Sequence, residues 1–370
     1  MAGQRIARGS VAAEVAGLLD SPEIADLIAE LEDLRWTGRK GYSIRSLVGA
    51  CLVKSLYAIP TWSRTAALIA EHAALRDALG DAPSVYALYR FAAKLREHKP
   101  LLDACLDRVA ASLRVELPEY GRDIAIDASD LPAYANGQRF LSKNGPERER
   151  YSDPDASWGH RSAVSTRKGG GFYGYKLHAA VCARTDLPLA WYVETARTNE
   201  GTFGVPLLDD VLARGFAPQS AALDKGYDFG MVYDAFEARG CRPIIPLRKV
   251  KTNTPPGPPT CEHGTWTFAG ADFKRKATKW RCPTGECRPA STWVKADRRN
   301  PLVPRDSKRW GDLYRGRGAV ERAFGRLKNE YGLTPLRLRG RDRIALHADL
   351  CILAQLSQAL ARARAVPLAA

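Results

Sequence analysis

Tyr314-Arg-Gly-Arg-Gly-Ala-Val-Glu-Arg-Ala-Phe-Gly-Arg-Leu-Lys328 decides how this chain reads, because its polar residues are placed for chemistry rather than for solubility. At about 100° per helical residue, Tyr314, Arg317, Glu321 and Lys328 fall in one narrow sector, and Leu313, Val320, Phe324, Leu327 and Tyr331 fill the adjoining one. Arg315, Arg322 and Arg326 share a third sector away from the core, where cations meet a phosphate backbone. The expectation is one continuous helix with a core face, an acid-bearing face and a basic face, its ends at Tyr314 and Lys328 about 21 Å apart. An ordinary amphipathic helix with a solvated charged side is the plain alternative. Against it, Gly316, Gly318 and Gly325 each weaken a helix by roughly 0.5 to 1 kcal/mol relative to Ala, an odd choice for a purely structural element.

Upstream, the pattern changes period at Leu117-Pro118. Asp123-Ile-Ala-Ile-Asp127 alternates like a strand, and Gly174 to Ala183 and Leu187 to Ala196 are two more strand candidates. Between the first and second lies a long polar loop, Gln138 to Gly171. Thr202 to Arg214 reads as a helix, and Ser220 to Leu223 as a short strand running into Asp224-Lys-Gly-Tyr-Asp228. Met231 to Arg239 reads as a helix and Arg242 to Leu247 as a fifth strand. The order is three strands, helix, strand, helix, strand, then the Glu321 helix.

The spacing Tyr-x2-Arg-x3-Glu-x6-Lys, together with that order, resembles bacterial insertion-sequence transposases of the DDE (Asp-Asp-Glu) class. The resemblance covers roughly residues 120 to 340. It implies an α/β, ribonuclease-H-like (retroviral-integrase-like) catalytic core, with an N-terminal helical domain and an insertion before the Glu helix. It places the three catalytic carboxylates at Asp127, Asp224 and Glu321. Five segments follow: 1–117, helical and a candidate binder of terminal repeats; 118–249, the first part of the core; 250–310, a basic insertion; 311–340, the Glu-bearing helix; and 341–370, a C-terminal helix.

Three converging carboxylates raise one another's pKa, and divalent cations resolve that conflict. Oxygen-only ligands favour Mg²⁺ or Mn²⁺, and a pair of such ions suits in-line phosphoryl displacement. Asp127 and Asp224 are assigned to the attacking and leaving sides, and Glu321 completes the second site. Asp123, Asp130 and Asp228 are the local rivals; Asp123 begins the strand and belongs at its far end, and Asp130 is a turn residue or a supporting group. Arg317 and Lys328 read as phosphate contacts, and Lys225 and Tyr227 as further candidates beside Asp224. The resemblance adds a hydrogen bond from Tyr314 to a phosphate near the transposon end. His178 reads as a packed strand residue.

Charge agrees with a polyanionic partner. Lys and Arg number 56 against 41 Asp and Glu, a formal net charge of +15. The segment Cys241 to Ala345, with 25 Lys and Arg against 9 Asp and Glu, carries the whole surplus. Within it, Thr254 to Thr260 is a stiff Pro-rich linker, and Cys261, His263, Cys282 and Cys287 are spaced to close a structural zinc site, with buried free thiols the alternative. Trp266, Trp280 and Trp293 among Lys and Arg suit stacking on bases, or simply a core.

In residues 10 to about 115 the apolar spacing predicts helices, Ser21-Pro22 starting one of them. Ser84 to Glu97, with Arg90, Lys94 and Arg96, is a candidate recognition helix, helix packing being the alternative. No apolar run reaches the roughly 18 residues of a membrane span, so the expectation is a cytoplasmic, nucleoid-associated protein with reduced cysteines and no membrane partner. The implied activity is cleavage of phosphodiester bonds at the inverted ends of an element and transfer of 3′-OH ends to target DNA. Double-stranded DNA is then the substrate and a homodimer the working form. A nuclease that cuts without joining, and a catalytically silent DNA-binding protein, are the rivals.

Overall fold

The computed structural model describes residues 10–34, 41–161, 168–248 and 258–365. The expected linker lies outside them as far as residue 257. Seven helices come first: α1 (Val11–Leu19), α2 (Pro22–Asp33), α3 (Ile44–Leu56), α4 (Trp62–Glu71), α5 (Ala73–Leu79), α6 (Val85–Glu97) and α7 (Lys99–Glu116). Hydroxyl caps start several of them, with Ser43, Thr61 and Ser84 accepting from the backbone N–H three residues on; each such cap contributes about 1 kcal/mol. Ser21 does not cap α2; its hydroxyl donates to Leu18 O instead, at 2.7 Å. Helix α3 is buried around nearly its whole circumference, Lys54 and Ser55 included.

The sheet follows. Its strands are β1 (Asp123–Pro132), β2 (Ser157–Arg161), β3 (Gly170–Cys182), β4 (Pro188–Thr195), β5 (Ser220–Leu223) and β6 (Arg242–Ile244), with α8 (Gly204–Ala213) before β5 and α9 (Gly230–Ala238) before β6. Strands β1, β3 and β4 are antiparallel neighbours, and β5 and β6 continue parallel to β1. The long β3 takes both β2 and β4 on one edge and β1 on the other. Ile124, Ala125 and Ile126 are all buried, because β1 is central and covered on both faces. The result is a mixed α/β fold whose strand order agrees with the expected ribonuclease-H-like core.

Two expectations fail here. The polar stretch 138–171 is not all loop, since β2 pairs there with residues 170–174 of β3. Five residues interrupted by Gly159 are too few to show an alternation. The stretch Tyr314–Lys328 is not one helix either; it divides into α10 (Lys308–Arg315) and α11 (Gly318–Asn329). At the joint the N–H groups of Gly316, Arg317, Ala319 and Val320 bond three residues back, a tightened turn that displaces the i to i−4 ladder.

Between β6 and α10 the insertion forms a hairpin, β7 (Thr260–Cys261) and β8 (Gly264–Thr265), and a three-stranded sheet of β9 (Thr267–Asp272), β10 (Ala277–Arg281) and β11 (Ser291–Lys295). Last comes α12 (Arg341–Ala365), which packs on α7, α3 and β4 and so joins helical layer to sheet. It is long and apolar enough to cross a membrane, contrary to expectation, but 78% of its apolar stretch is buried inside the protein. That is the burial of a core helix.

Candidate active site

The geometry starts from strand register. Strands β1 and β5 run parallel with Ile126 beside Leu223, so Asp127, in mid-β1, and Asp224, just past the end of β5, follow directly on paired residues of neighbouring strands. Asp127 Oδ1 accepts from the N–H of Ala128 at 2.8 Å, and Oδ2 accepts from Arg317 Nη2 at 2.7 Å. The same guanidinium donates through Nη1 to Glu321 Oε1 at 2.7 Å. Asp224 caps the single 3₁₀ turn Lys225–Tyr227, its Oδ1 accepting from Gly226 N at 2.6 Å. Arg317 thus spans two of the three carboxylates, and the third stands one strand away.

Electrostatics ties the three together. Burial pushes the Asp127 carboxyl up to about 7; Arg317 and the Ala128 N–H pull it down, while the charges of Asp224 and Glu200 push it further up. Tyr314, whose pKa is raised first by burial, also feels Asp224, Asp127 and Glu321. The fully buried Tyr227 is raised by burial and then by Asp127, Glu200 and Asp224, and its hydroxyl has no hydrogen-bond partner among the described residues. Glu200, on a 3₁₀ turn after β4, was not visible as a site residue in the sequence. Its carboxylate accepts from Lys176 Nζ at 2.7 Å. Trp310 also went unnoticed; it stacks on Tyr314 with ring centroids 4.8 Å apart.

The local rivals are occupied elsewhere. Asp123 sits at the other end of β1, accepting from Ser220 Oγ. Asp130 pairs with Arg161 at 3.1 Å. Asp228 is buried, accepting from Arg298 and from the N–H of Arg248.

A family model described as the Transposase DDE domain matches residues 121–356, from the turn before β1 to well inside α12. This chain belongs to that family. Among curated proteins none matches. Among solved structures, the cryo-EM structure of a piggyBac transposase synaptic complex with hairpin DNA is similar at 12% identity and a TM-score of 0.42, over 96% of this chain and 76% of that one.

The cations of this DDE domain are placed differently from the sequence reading. Lys328 is not free for a phosphate: its Nζ donates to Ser129 Oγ and to Asp130 O, both at 2.7 Å, pinning α11 to β1. Arg322 forks onto Asp186 at 2.7 and 2.8 Å, and Arg326 reaches the same carboxylate at 2.9 Å. Arg315 pairs with Asp312. A helical wheel places side chains around an axis and is blind to the acid on the β3–β4 turn. Lys225 is exposed beside Asp224.

The expected zinc ligands converge in part. The thiols of Cys261, Cys282 and Cys287 all lie within 4.8 Å of one another, and the first two sulfurs are 3.8 Å apart. His263 is not gathered with them, its ring lying between Glu262 and Glu286 at 3.5 and 3.6 Å. Among the described residues the three carboxylates are not drawn together as tightly as the thiols. Trp280 is core at 6% exposure and Trp293 is 46% exposed. His178 is fully buried and stacked on Phe203, with both ring nitrogens unpaired among the described residues, as a packed strand residue.

Proposed function

We propose that this chain is a DNA transposase of the insertion-sequence type. It binds the inverted ends of its element, hydrolyses a phosphodiester there to free a 3′ hydroxyl, and directs that hydroxyl at target DNA, acting as a homodimer that bridges two ends. One observation carries the reading: Asp127 and Asp224 leave neighbouring parallel strands side by side, and Glu321 is linked to Asp127 through a single guanidinium.

The residues fit a divalent cation of the hard, oxygen-loving kind. Asp127, with a pKa near 7, is an anion short of positive charge, and Arg317 takes a bridging position between two carboxylates. Bound Mg²⁺ or Mn²⁺ would supply Lewis acidity for the attacking and leaving oxygens. The protein's own groups do the rest. Asp127, Asp224 and Glu321 would hold the cations. Arg317, released from its carboxylates, forks onto a phosphate, and Tyr314, steadied by Trp310, donates to another. Lys328 positions the Glu321 helix against β1.

In the insertion, Cys261, Cys282 and Cys287, whose thiols all lie within 4.8 Å of one another, would supply three of the four ligands of a structural zinc site. Burial pushes the Cys282 thiol up, and hydrogen bonds from Thr284 and Cys287 outweigh it and hold the thiol below its ordinary value. Metal analysis of the purified protein should return stoichiometric zinc. Absence of zinc together with unchanged folding of Cys282→Ser would remove the site.

The test of the main reading is strand cleavage and joining on DNA carrying the element's ends. Asp127→Asn, Asp224→Asn and Glu321→Gln should each abolish cleavage while leaving end binding nearly intact. Cleavage by any one of them would remove the assignment. Cutting without joining would point to a nuclease, and binding by the wild type without cleavage to a silent DNA-binding protein.

A further inference from the structure

A second basic site lies away from the carboxylates, in a cavity of about 350 Å³ between α3, α4, α6 and the start of α12. Among the described residues its lining includes Lys54, Arg96, Arg337 and Arg343, with Trp62 and Tyr89 as aromatic walls, and no carboxylate. Lys54 is only 4% exposed. Among the described residues its ammonium has no hydrogen-bond acceptor and no ion-pair partner; it lies over the Trp62 ring, 5.4 Å from its centroid, and its charge helps hold His347 neutral. Burial holds its pKa below the ordinary lysine value, and no carboxylate among the described residues offsets that.

The other cations add to the imbalance. Arg96, half-buried, is lowered by burial and by the charge of Arg343; Asp342 and Glu97 act on it from outside the lining. Arg343 forms no ion pair among the described residues, and Arg337 lies over the ring of Tyr134. The first turns of α12 carry Arg343, Leu346 and His347 into the lining, and the positive end of that long helix adds to the field. A buried cation without a counter-ion is costly, and four cations around an acid-free space compound the cost. An anion entering the space relieves it.

We propose that this cavity binds a backbone phosphate of duplex DNA, with Lys54 and Arg343 as its chief contacts and Tyr89, 56% exposed at the rim, against the adjoining nucleotide. The site rests on the DNA-acting reading given above and extends it to a contact far along the chain from Glu321. It also gives α6 a role in meeting the backbone through its Tyr89 and Arg96 side. The plain alternative is that Lys54, in the last turn of α3, only compensates the negative end of that helix.

The test uses full-length protein and Lys54→Met, which removes the charge and keeps the length. Binding of a fluorescent duplex is measured by anisotropy between 50 and 200 mM salt. Loss of one phosphate contact should lower the slope of log K against log salt by about 0.9, so that the variant loses about 3.5-fold less affinity over that range. Thermal unfolding without DNA should show Lys54→Met at least as stable as wild type. An unchanged slope, or a variant that is less stable with its slope unaltered, overturns the proposal in favour of the helix-end role. If the wild type binds no duplex at all, titration with inorganic phosphate decides. A rise in Tm for wild type that Lys54→Met lacks keeps an anion site and removes DNA as its source; equal responses remove the site.

Discussion

Asp127→Asn should stabilise the metal-free protein at neutral pH while abolishing cleavage. The carboxyl titrates at about 7 in the fold against an ordinary 3.8, chiefly because it is buried, and Arg317 only partly offsets this. For an acid raised on folding, the unfolded chain binds fewer protons between those two values, so stability falls as pH rises through that window and levels off above about 7. The cost of folding around the ionised group is about 1.5 kcal/mol at pH 5 and about 4 kcal/mol at pH 8. Asn carries no such cost, and its amide oxygen can still accept from Arg317. In urea unfolding with chelator present, the variant's advantage should therefore grow by about 2.5 kcal/mol from pH 5 to pH 8. Mg²⁺ at about 100 times its Kd should then restore about 2.7 kcal/mol to the wild type alone. A pH-independent difference would refute the argument that Asp127 is an under-compensated anion, and equal stabilisation of both proteins by Mg²⁺ would refute its role in holding metal.

Three further outcomes follow from the same geometry. Arg317→Ala should bind Mn²⁺ at pH 8 about 10-fold more tightly in calorimetry without DNA, because the ion no longer displaces a guanidinium hydrogen-bonded to Asp127 and Glu321; unchanged or weaker binding would mean the guanidinium does not compete. Asp186→Ala should cost about 2 kcal/mol by urea denaturation, since it leaves Arg322 and Arg326 without the acid that holds α11 to the β3–β4 turn, and Arg322→Ala should cost much less in the mutant background than in wild type. Gly332→Ala should cost about 2 kcal/mol or more in the same assay: at φ +68° an L side chain is disfavoured, and the added Cβ would meet Ala58 Cα at 2.7 Å.

The parts of the fold that were readable from the chain are those where one residue's environment is set by its own element. Ile124 to Ile126 are buried because the strand is central, and Asp127 in mid-β1 and Asp224 just after β5 stand out against those apolar runs. The five core strands and the helices between them could be ordered on that basis. What escaped depends on partners distant in sequence. Strand β2 exists because residues 170–174 of β3 offer it an edge. Glu200 enters the site because β4 returns alongside β3 and delivers the turn after it to Asp127. The cations of α11 looked free because nothing in a local spacing reveals Asp186, Ser129 or the carbonyl of Asp130.

The broken helix shows why the glycines in the opening stretch matter. A Cβ on Gly316 would meet Leu313 O at 3.0 Å and Ala183 Cβ at 3.1 Å, so this position lets the joint between α10 and α11 pass close to the end of β3. Because the joint is tightened there, Arg317 becomes the residue before α11 rather than a mid-helix residue, and its guanidinium reaches back to Asp127 as well as forward to Glu321. Glu321 falls in the first turn of α11, one turn beyond Arg317. The spacing of Tyr314, Arg317 and Glu321 therefore encodes two helices meeting at a site, with the arginine at the joint and the acid just beyond it.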